Sequence, residues 1–391
     1  MATIAIIRNN FIVYDTGLVR IIRSLIRRYP TVVFGWNREN KKNYDKDILK
    51  KQVVGDKNDK NKNFDLKILD LGAPVRKTRL RAYLPMLIFF PIFWTWIFAN
   101  LVAHRPKIVF ACDLDTVLPC YLYKKIFRRK LAFYIFDRYA LTYIPKNYAI
   151  LFNTINTLEE YFSKNSDLLI TVAESVLETF HKKPNHCIII PNYPEQVVPY
   201  VDKDYKQGKA LTIVYGGHIM RGRGLERIVS AIRGVQNVEL CMYGLLIDRK
   251  LLEELISTPN VKYKGYLPRT DDYYKSIMKA DLMVAVYDLD NPSNSVTVHN
   301  KTFESMMCGI PIITNLSPEL VEQEGSGATI EYDNIEQIRT AIIQFRDNPE
   351  LRKAMGNKGR MAFLKKYNWS IAEKNLHRAC EILDEAHTSH H

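Results

Sequence analysis

Lys301 and Glu304 lie in the segment HNKTFESMMCGIPIITN, which combines charged residues with an abrupt change of local structure. Residues 302–307 have the spacing of one or two helical turns, and Gly309 follows where a helix end often needs a left-handed residue. Residues 310–314 then have the composition of a short buried parallel strand. The two charged residues are therefore predicted on a helix at a sheet edge, where open α/β sheets bind ligands. A carboxylate there suits a sugar diol, because it can accept two hydrogen bonds at once.

A glycine-rich turn forms a second candidate site, for an anion. The apolar residues 211–215 run into Gly216 and Gly217, and a helix is predicted to begin near Gly224. Glycines let phosphate oxygens approach the backbone, and a helix N-terminus supplies free amides and partial positive charge. Arg223 adds a guanidinium group that suits phosphate. The alternative, a basic turn exposed to solvent, fits Arg221 better than Arg223.

Acidic residues follow two predicted strands of the N-terminal half. Asp113 and Asp115 come after residues 107–111, and Asp137 comes after residues 131–136. Two carboxylates at this spacing on an extended segment point the same way and could hold Mg²⁺. Alternatively, one of these carboxylates binds a substrate hydroxyl. The residues leave both interpretations open.

The elements that position these residues alternate between strand and helix in both halves of the chain. A strand at 3–7, a basic amphipathic helix at 18–29 and a second strand begin a doubly wound sheet, and a similar series begins at Leu211. The loop with Asp15 and Gly17 opens the first helix, so its free amides could face an anion. This loop lacks the GxGxxG pattern of dinucleotide-binding proteins, which argues against such a cofactor.

Composition limits the class of protein. The chain has 391 residues, of which 47% are hydrophobic, so two α/β domains of similar size are expected. The six cysteines are scattered, which indicates no disulfide framework or zinc site, and no secretory signal is recognised, so a cytoplasmic setting is expected. The net charge of +14 favours anionic partners: nucleic acid, an acidic bilayer or phosphorylated substrates. Nucleic acid ranks last, because the aromatic residues concentrate in one apolar segment.

That apolar segment, 82–103, contains no charged residue and is rich in Phe and Trp. It is long enough to span a bilayer, but strands of one sheet are predicted on both sides of it, at 64–71 and 107–111. We therefore predict a helix that lies in the membrane interface, kinked near Pro85 and Pro91. Four basic residues just upstream would meet anionic headgroups: Arg76, Lys77, Arg79 and Arg81. A hydrophobic helix buried against the sheet is the alternative.

The segments NKTFESMMCGIPIIT and LTIVYGGHIMRGRGLERIVSAI resemble the signature motifs of family 4 glycosyltransferases (glycosyl transferases group 1). The resemblance implies the GT-B fold, an α/β architecture of two Rossmann-like doubly wound domains that face each other across a cleft. It also implies a retaining enzyme that uses a nucleotide-diphosphate sugar and needs no metal or other cofactor. Glu304 would hold the donor ribose, while Gly217, His218 and Arg223 would hold the diphosphate and neutralise it as it departs.

Further roles follow from the same resemblance. Gly265, Tyr266 and Leu267 would border the nucleotide base, and Lys301 lies beside the ribose-binding acid. The loop that meets the donor sugar would be Asn294, Ser295, Val296 and Thr297, with Val296 where the family usually has a second glutamate. The predicted catalytic residues are Asp113, Asp115, Arg223 and Glu304. The predicted acceptor-side residues are Asp15, Gly17 and Asp137.

The resemblance also suggests how the chain is divided and where it works. An acceptor-binding domain would span 1–193, a linker 194–209 and a donor-binding domain 210–367, with a helix at 368–391 crossing back to the first domain. The protein would associate peripherally with the inner face of the cell membrane. It would transfer a sugar to a lipid-linked glycan acceptor in polysaccharide or glycoconjugate synthesis. A non-catalytic GT-B-like subunit that docks a partner at the membrane is the alternative.

Overall fold

The structure is a computed structural model that describes residues 3–9, 12, 15–38, 52–53, 63–72, 86–144, 147–203, 205, 208–267, 270–290, 294 and 300–388. The chain divides into two compact units. The first unit consists of Met1–Asn192 and Ala372–His391, and the second consists of Tyr193–Ile371. Each unit is built on its own parallel sheet flanked by helices, which confirms the predicted pair of Rossmann-like domains.

Seven parallel strands form the first sheet in the order β3-β2-β1-β4-β5-β6-β7. Their bounds are β1 (Ile4–Arg8), β2 (Thr31–Asn37), β3 (Phe64–Asp70), β4 (Ile108–Cys112), β5 (Lys130–Ile135), β6 (Leu168–Thr171) and β7 (Cys187–Ile189). The two central strands β1 and β4 are buried along their whole length, as expected for strands covered on both faces. The strand order reverses between them, and such a reversal places a ligand crevice at the carboxyl ends of the strands.

Helices cover both faces of this sheet. They are α1 (Thr16–Ile26), α2 (Met86–His104), α3 (Leu114–Phe127), α4 (Tyr139–Tyr143), α5 (Ala149–Asn165) and α6 (Glu174–Glu178). The Asp15 side chain caps α1 by accepting a hydrogen bond from the Leu18 amide at 3.0 Å. One prediction was wrong: Asp115 does not lie on an extended segment, because α3 begins directly after Asp113.

Helix α2 covers most of the predicted apolar helix. Residues 82–85 and the basic cluster before them lie outside the described residues. Phe93, Ile97 and Leu101 form a buried face at helical spacing, and the Phe93 ring stacks on Trp36 of β2 at 4.7 Å between centroids. The other face is open, since Ile88 is 70% exposed and Ile92 is 48% exposed. The burial expected from the alternative interpretation therefore accounts for one face only. Among the described helices, none has both the length and the apolar character needed to cross a membrane.

The second sheet has six parallel strands in the order β10-β9-β8-β11-β12-β13. Their bounds are β8 (Leu211–Gly216), β9 (Val238–Tyr243), β10 (Val261–Tyr263), β11 (Leu282–Ala285), β12 (Ile312–Thr314) and β13 (Gly327–Thr329). The helices are α7 (Leu225–Ile232), α8 (Arg249–Ile256), α9 (Thr270–Ile277), α10 (Asn300–Cys308), α11 (Pro318–Glu324), α12 (Ile335–Asp347) and α13 (Pro349–Lys365). The order again reverses between two central strands, here β8 and β11.

The last helix, α14 (Trp369–Thr388), belongs from Ala372 onward to the first unit. Asn375 donates a side-chain hydrogen bond to the Ile189 carbonyl at 2.9 Å, and Glu373 pairs with Arg27 at 3.5 Å. The C-terminal segment is thus fastened to the last strand and the first helix of that unit.

Gly224, directly before α7, is packed closely against Val286. Its φ is +62°, and a Cβ there would overlap the Val286 carbonyl group. Gly234 has a similar φ of +75° but has open space around it. We expect Gly234→Ala to cost about 1 kcal/mol of unfolding free energy from backbone strain alone. Gly224→Ala should cost about 1–3 kcal/mol more, because of overpacking. Urea unfolding of the two variants measures the difference, and equal costs would contradict this account.

Candidate functional site

The loops after β8, β9 and β10 meet through glycine backbone at the carboxyl edge of the second sheet. The Gly217 amide donates to the Tyr243 carbonyl at 2.9 Å, and the Gly244 amide donates to the Gly265 carbonyl at 3.0 Å. Gly244 lies so close to Gly217 that a Cβ would overlap the Gly217 carbonyl group. The predicted phosphate turn and the predicted base-side loop are therefore neighbours, at the edge where parallel sheets bind ligands.

Arg223 and Arg221 of the same turn have different surroundings. The Arg223 guanidinium is partly buried and lies 4.6 Å from the centre of the Tyr287 ring, where cation–π attraction orients it. Within the described part of the chain, it makes no ion pair with a carboxylate. Arg221 is exposed and pairs with Glu226 at 3.1 Å and Glu254 at 2.9 Å. Arg223 is thus the arginine of this turn whose charge is available to an anion.

Glu304 is connected to the glycine turn through the hydroxyl of Tyr273. One Glu304 oxygen, Oε2, accepts a hydrogen bond from the Tyr273 hydroxyl at 2.9 Å and another from Lys301 Nζ at 2.8 Å. The same hydroxyl fills the space beside Gly216, where a Cβ would overlap it. Glu304 and Lys301 lie on α10 as predicted, and Gly309 with φ +65° follows that helix as predicted.

Those of the remaining predicted donor-side residues that the structure describes belong to the same unit. Asn294 is buried and donates to the carbonyls of Asp288 at 2.8 Å and Gly222 at 3.2 Å, so it fastens the turn before Arg223 to the end of β11. His218 is exposed, and its carbonyl accepts a hydrogen bond from Tyr215 at 2.9 Å. Tyr266 is exposed and Leu267 is half-buried. Three predicted sugar contacts lie outside the described residues: Ser295, Val296 and Thr297.

In the first unit, an ion-pair cluster occupies the carboxyl ends of β1 and β4. Arg8 pairs with Asp113 and also, at 3.2 Å, with Asp15, while its guanidinium lies 4.4 Å from the centre of the Phe136 ring. The other oxygen of Asp113 accepts hydrogen bonds from the amides of Phe136 at 2.8 Å and Asp137 at 3.3 Å. This carboxylate therefore holds three strand ends together.

The neighbouring acids have their own partners. Asp115 accepts hydrogen bonds from Asn9 and, at 2.8 Å, from the Tyr139 hydroxyl, whereas Asp137 accepts one from Tyr143 at 3.2 Å. In the ranges that the structure describes, no three His, Cys, Asp or Glu side chains are grouped as metal ligands would be.

Gly17 lies against the side chain of Asn192. A Cβ at Gly17 would lie 2.7 Å from the Asn192 side-chain oxygen, which also accepts a hydrogen bond from Arg20. Gly17 therefore permits a close contact between the start of α1 and the end of the first segment of this unit.

Burial dominates the electrostatics of this cluster. It raises the pKa of Asp113 to about 7, with Arg8 opposing the rise and Asp137 adding to it. Burial likewise raises the pKa of Asp115 and that of Asp137. Asp113 also has φ +64° and ψ 171°, a backbone region that costs a non-glycine residue about 1–3 kcal/mol and that often marks a functional site.

The structure adds functional candidates that sequence reasoning missed. Arg8 is the last residue of β1 and Asn9 directly follows it, which is a position signal that could have identified them. Tyr273 and Tyr287 lie far along the chain from the glycines and the arginine that they contact, so no local pattern marks them.

We expect removal of Arg8 to move the titration of Asp113 upward. Because folded Asp113 has a raised pKa, the folded state holds this proton more tightly than the unfolded chain does. Stability should therefore fall as pH rises from the unfolded pKa of about 3.9 to about 7. Arg8→Met removes the opposing charge, so the fall should extend above pH 7. Unfolding followed by tryptophan fluorescence measures this, since Trp36, Trp94 and Trp96 lie in the first unit. Arg221→Met is the surface control and should behave as wild type does. If stability falls over the same pH range in Arg8→Met as in wild type, this expectation is wrong.

The chain is similar to known glycosyltransferases in sequence and in fold. A family model described as "Glycosyl transferase-like" matches residues 223–383. The chain is 25% identical over 232 residues to an uncharacterized glycosyltransferase of Methanocaldococcus jannaschii, covering 58% of this chain and 62% of that protein. It is 26% identical over 222 residues to one of Haemophilus influenzae, covering 53% and 60% respectively. The chain thus spans about 60% of the length of the curated relatives that it matches.

Solved structures resemble the chain over nearly its whole length. Sucrose-phosphate synthase from Thermosynechococcus elongatus has a TM-score of 0.75 at 14% identity, covering 99% of this chain and all of that one. Anabaena HepE in complex with UDP-glucose has a TM-score of 0.68 at 14% identity, covering 97% and 100%. At these identities the likeness concerns the fold. Together with the two parallel sheets, it shows the GT-B fold, and the family match over residues 223–383 and the two relatives support a group 1 glycosyltransferase.

Proposed function

We propose that this protein transfers a sugar from a nucleotide-diphosphate sugar that its second unit binds. The observation that carries the proposal is the Tyr273 hydroxyl, which touches Gly216 on one side and lies 2.9 Å from Glu304 on the other. The phosphate turn and the diol-binding carboxylate are thereby separated by a single hydroxyl group. In a nucleoside diphosphate, the pentose and the phosphates are neighbours in the same way. The UDP-glucose in the similar Anabaena HepE structure supports a donor of this class.

The catalytic contribution of the second unit would be electrostatic. Arg223, His218 and the N-terminus of α7 would stabilise the diphosphate as its bond to the sugar breaks. This arrangement balances the leaving-group charge with protein groups, so the proposal requires no metal. As the bond from the sugar to the diphosphate breaks, the acceptor hydroxyl would attack from the same face and give its proton to the departing phosphate oxygen, so the anomeric configuration would be retained. The anomeric coupling constant in the NMR spectrum of the product tests the retention.

The first unit would bind the acceptor. Among the acids Asp113, Asp115 and Asp137, the last is the most available. In the described part of the chain it accepts a side-chain hydrogen bond from Tyr143 alone, whereas Asp113 is held by Arg8 and two amides. A carboxylate with spare acceptor capacity suits an acceptor hydroxyl. Asp113 and Asp115 would then act at this edge mainly by holding Arg8, Asn9 and the strand ends in place.

The exposed surface of α2 and α3 supports a membrane-associated acceptor. On α2, Ile88 and Ile92 lie one turn apart on the face opposite the buried core, and Thr95 continues that uncharged face. On α3, Leu122 and Ile126 are also exposed and one turn apart. The rings of Phe98 and Phe127, 6.4 Å apart, join the two helices.

Basic residues border the α3 part of this apolar surface. Lys125 and Arg128 are exposed beside Ile126, so anionic headgroups would be attracted where apolar side chains enter the interface. We therefore propose peripheral association with the inner face of the cell membrane and a lipid-linked glycan acceptor. The pathway would be the synthesis of surface polysaccharide or another glycoconjugate.

Replacing Arg223 tests the donor site. Arg223→Met should weaken binding of UDP-glucose, or of whichever nucleotide sugar gives the largest thermal shift, by about 10- to 100-fold, because a hydrogen bond to a charged group is lost. Arg221→Met removes the same charge from the same turn but disrupts surface ion pairs only, so it should weaken binding less than about threefold. Calorimetric titration measures both constants. Equal losses would show that general positive charge, not a specific phosphate contact, binds the donor.

Replacing the apolar surface of α2 tests membrane association. The double variant Ile88→Glu with Ile92→Glu should lose most of its cosedimentation with vesicles of anionic phospholipid, because it places two charges at the interface. Met361→Glu, on the exposed face of α13 in the second unit, provides the control and should bind as wild type does.

Turnover then separates membrane binding from catalysis. With a polyprenyl-phosphate glycan in vesicles, the double variant should be slower than wild type, while hydrolysis of the donor by water should be unchanged. Equal vesicle binding by both proteins, or equal wild-type turnover of lipid-linked and soluble acceptors, would contradict the membrane proposal.

A further inference from the structure

The two oxygens of the Glu304 carboxylate are not equivalent. Oε2 receives hydrogen bonds from both the Tyr273 hydroxyl and Lys301 Nζ, at 2.9 and 2.8 Å. A carboxylate oxygen has two lone-pair sites, so these donors fill it. In the part of the chain that the structure describes, Oε1 accepts no hydrogen bond. The Glu304 side chain is 12% exposed, so a ligand can reach it.

The donors that occupy Oε2 are themselves held in place. Lys301 Nζ lies 2.8 Å from the Tyr273 hydroxyl, so the three polar groups form a closed triangle. The hydroxyl cannot move toward β8 because the Gly216 backbone is there. Its desolvation and the nearby Glu304 charge raise the pKa of Tyr273 well above its ordinary value, so the phenol stays protonated and remains a donor. This triangle fixes the rotation of the carboxylate about its last bond.

We infer that Tyr273 and Lys301 are positioning residues that make Glu304 recognise a cis-diol through Oε1 alone. This inference rests on the proposed function, since it concerns the pentose of the nucleotide donor. Two neighbouring hydroxyls of a ribose would donate to the two lone pairs of Oε1, while Oε2 stays engaged with the protein. A single oxygen with a fixed orientation discriminates against a sugar that lacks either hydroxyl. Tyr273 and Lys301 thereby contribute to ribonucleotide specificity without touching the ligand.

The experiment compares nucleotides that differ by one hydroxyl. Binding of UDP, GDP, ADP and CDP is measured by calorimetry, and the tightest is compared with its 2′-deoxy counterpart. Wild type should prefer the ribonucleotide by about tenfold or more, as loss of a hydrogen bond to a charged group implies. In Tyr273→Phe the carboxylate can rotate, so the preference should fall to about threefold or less. Affinity for the deoxynucleotide should change little.

Two further variants keep the outcome interpretable. Tyr367→Phe removes another tyrosine–glutamate hydrogen bond of the second unit, the 2.9 Å contact with Glu324, and should leave the ribose preference unchanged. Lys301→Met removes the second donor to Oε2 and should lower the preference in the same direction as Tyr273→Phe. It also provides the test if Tyr273→Phe does not fold, as judged by circular dichroism.

The results distinguish the inference from the function on which it rests. If wild type binds none of the four diphosphates, the proposed donor site and this inference are both overturned. If wild type shows the ribose preference and both Tyr273→Phe and Lys301→Met retain it, the inference alone is overturned. A reduced preference in these variants, with Tyr367→Phe unchanged, supports it.

Discussion

The second unit depends on the close approach of a tyrosine hydroxyl to a strand end that has no side chain. Any residue larger than glycine at 216 would displace Tyr273, and with it the hydrogen bond that orients Glu304. Likewise, the absence of a side chain at Gly244 permits close packing on Gly217, and its absence at Gly224 permits close packing on Val286. The site is therefore made by backbone packing at three points, and the charged side chains are placed on that backbone. The proposed affinity for an anion would come from the amides of this turn and from the Arg223 guanidinium.

The first unit has the same reversal of strand order, but its polar residues are held in a different way. Both sheets reverse their strand order between two central strands, and both place their polar residues where the reversal opens a crevice. In the first unit, that position is filled by the buried Arg8–Asp113 pair. A buried pair costs desolvation and is stable only when its remaining hydrogen-bonding groups are satisfied. Two backbone amides satisfy the second oxygen of Asp113, and its strained backbone is tolerated because three strand ends hold it.

Helix α2 shows how one apolar segment can serve two environments. Its inner face packs on the aromatic residues of β2, and its outer face keeps Ile88 and Ile92 in solvent. A helix that only covered a sheet would present polar residues outward, as α8 does with Lys250, Glu253 and Glu254. The uncharged outer face is thus a feature that the packing of the unit does not require. That difference is why a membrane surface is the partner proposed for it.

Local sequence patterns were sufficient for the elements and for the chemical types of the site residues. The alternation of strand and helix, the glycine after α10 and the glycines after β8 follow from backbone propensities that depend on few neighbours. The sequence motif also predicted correctly that Arg221 is more exposed to solvent than Arg223. It failed at Asp115, because α3 begins directly after Asp113. That start requires φ +64° with ψ 171° at Asp113, which lies outside the left-handed region that aspartate occasionally adopts.

Only the tertiary structure decided which groups meet. Tyr273 reaches Glu304 and Gly216, Tyr287 supports Arg223, and Arg8 pairs with Asp113, and each contact joins segments that are distant in sequence. Such contacts depend on strand order and register, which are set by the packing of the whole sheet rather than by neighbouring residues. The sequence by itself therefore determined the two α/β units and the types of the residues that are proposed to bind phosphate and a diol. The folded chain decided how each of those side chains is held.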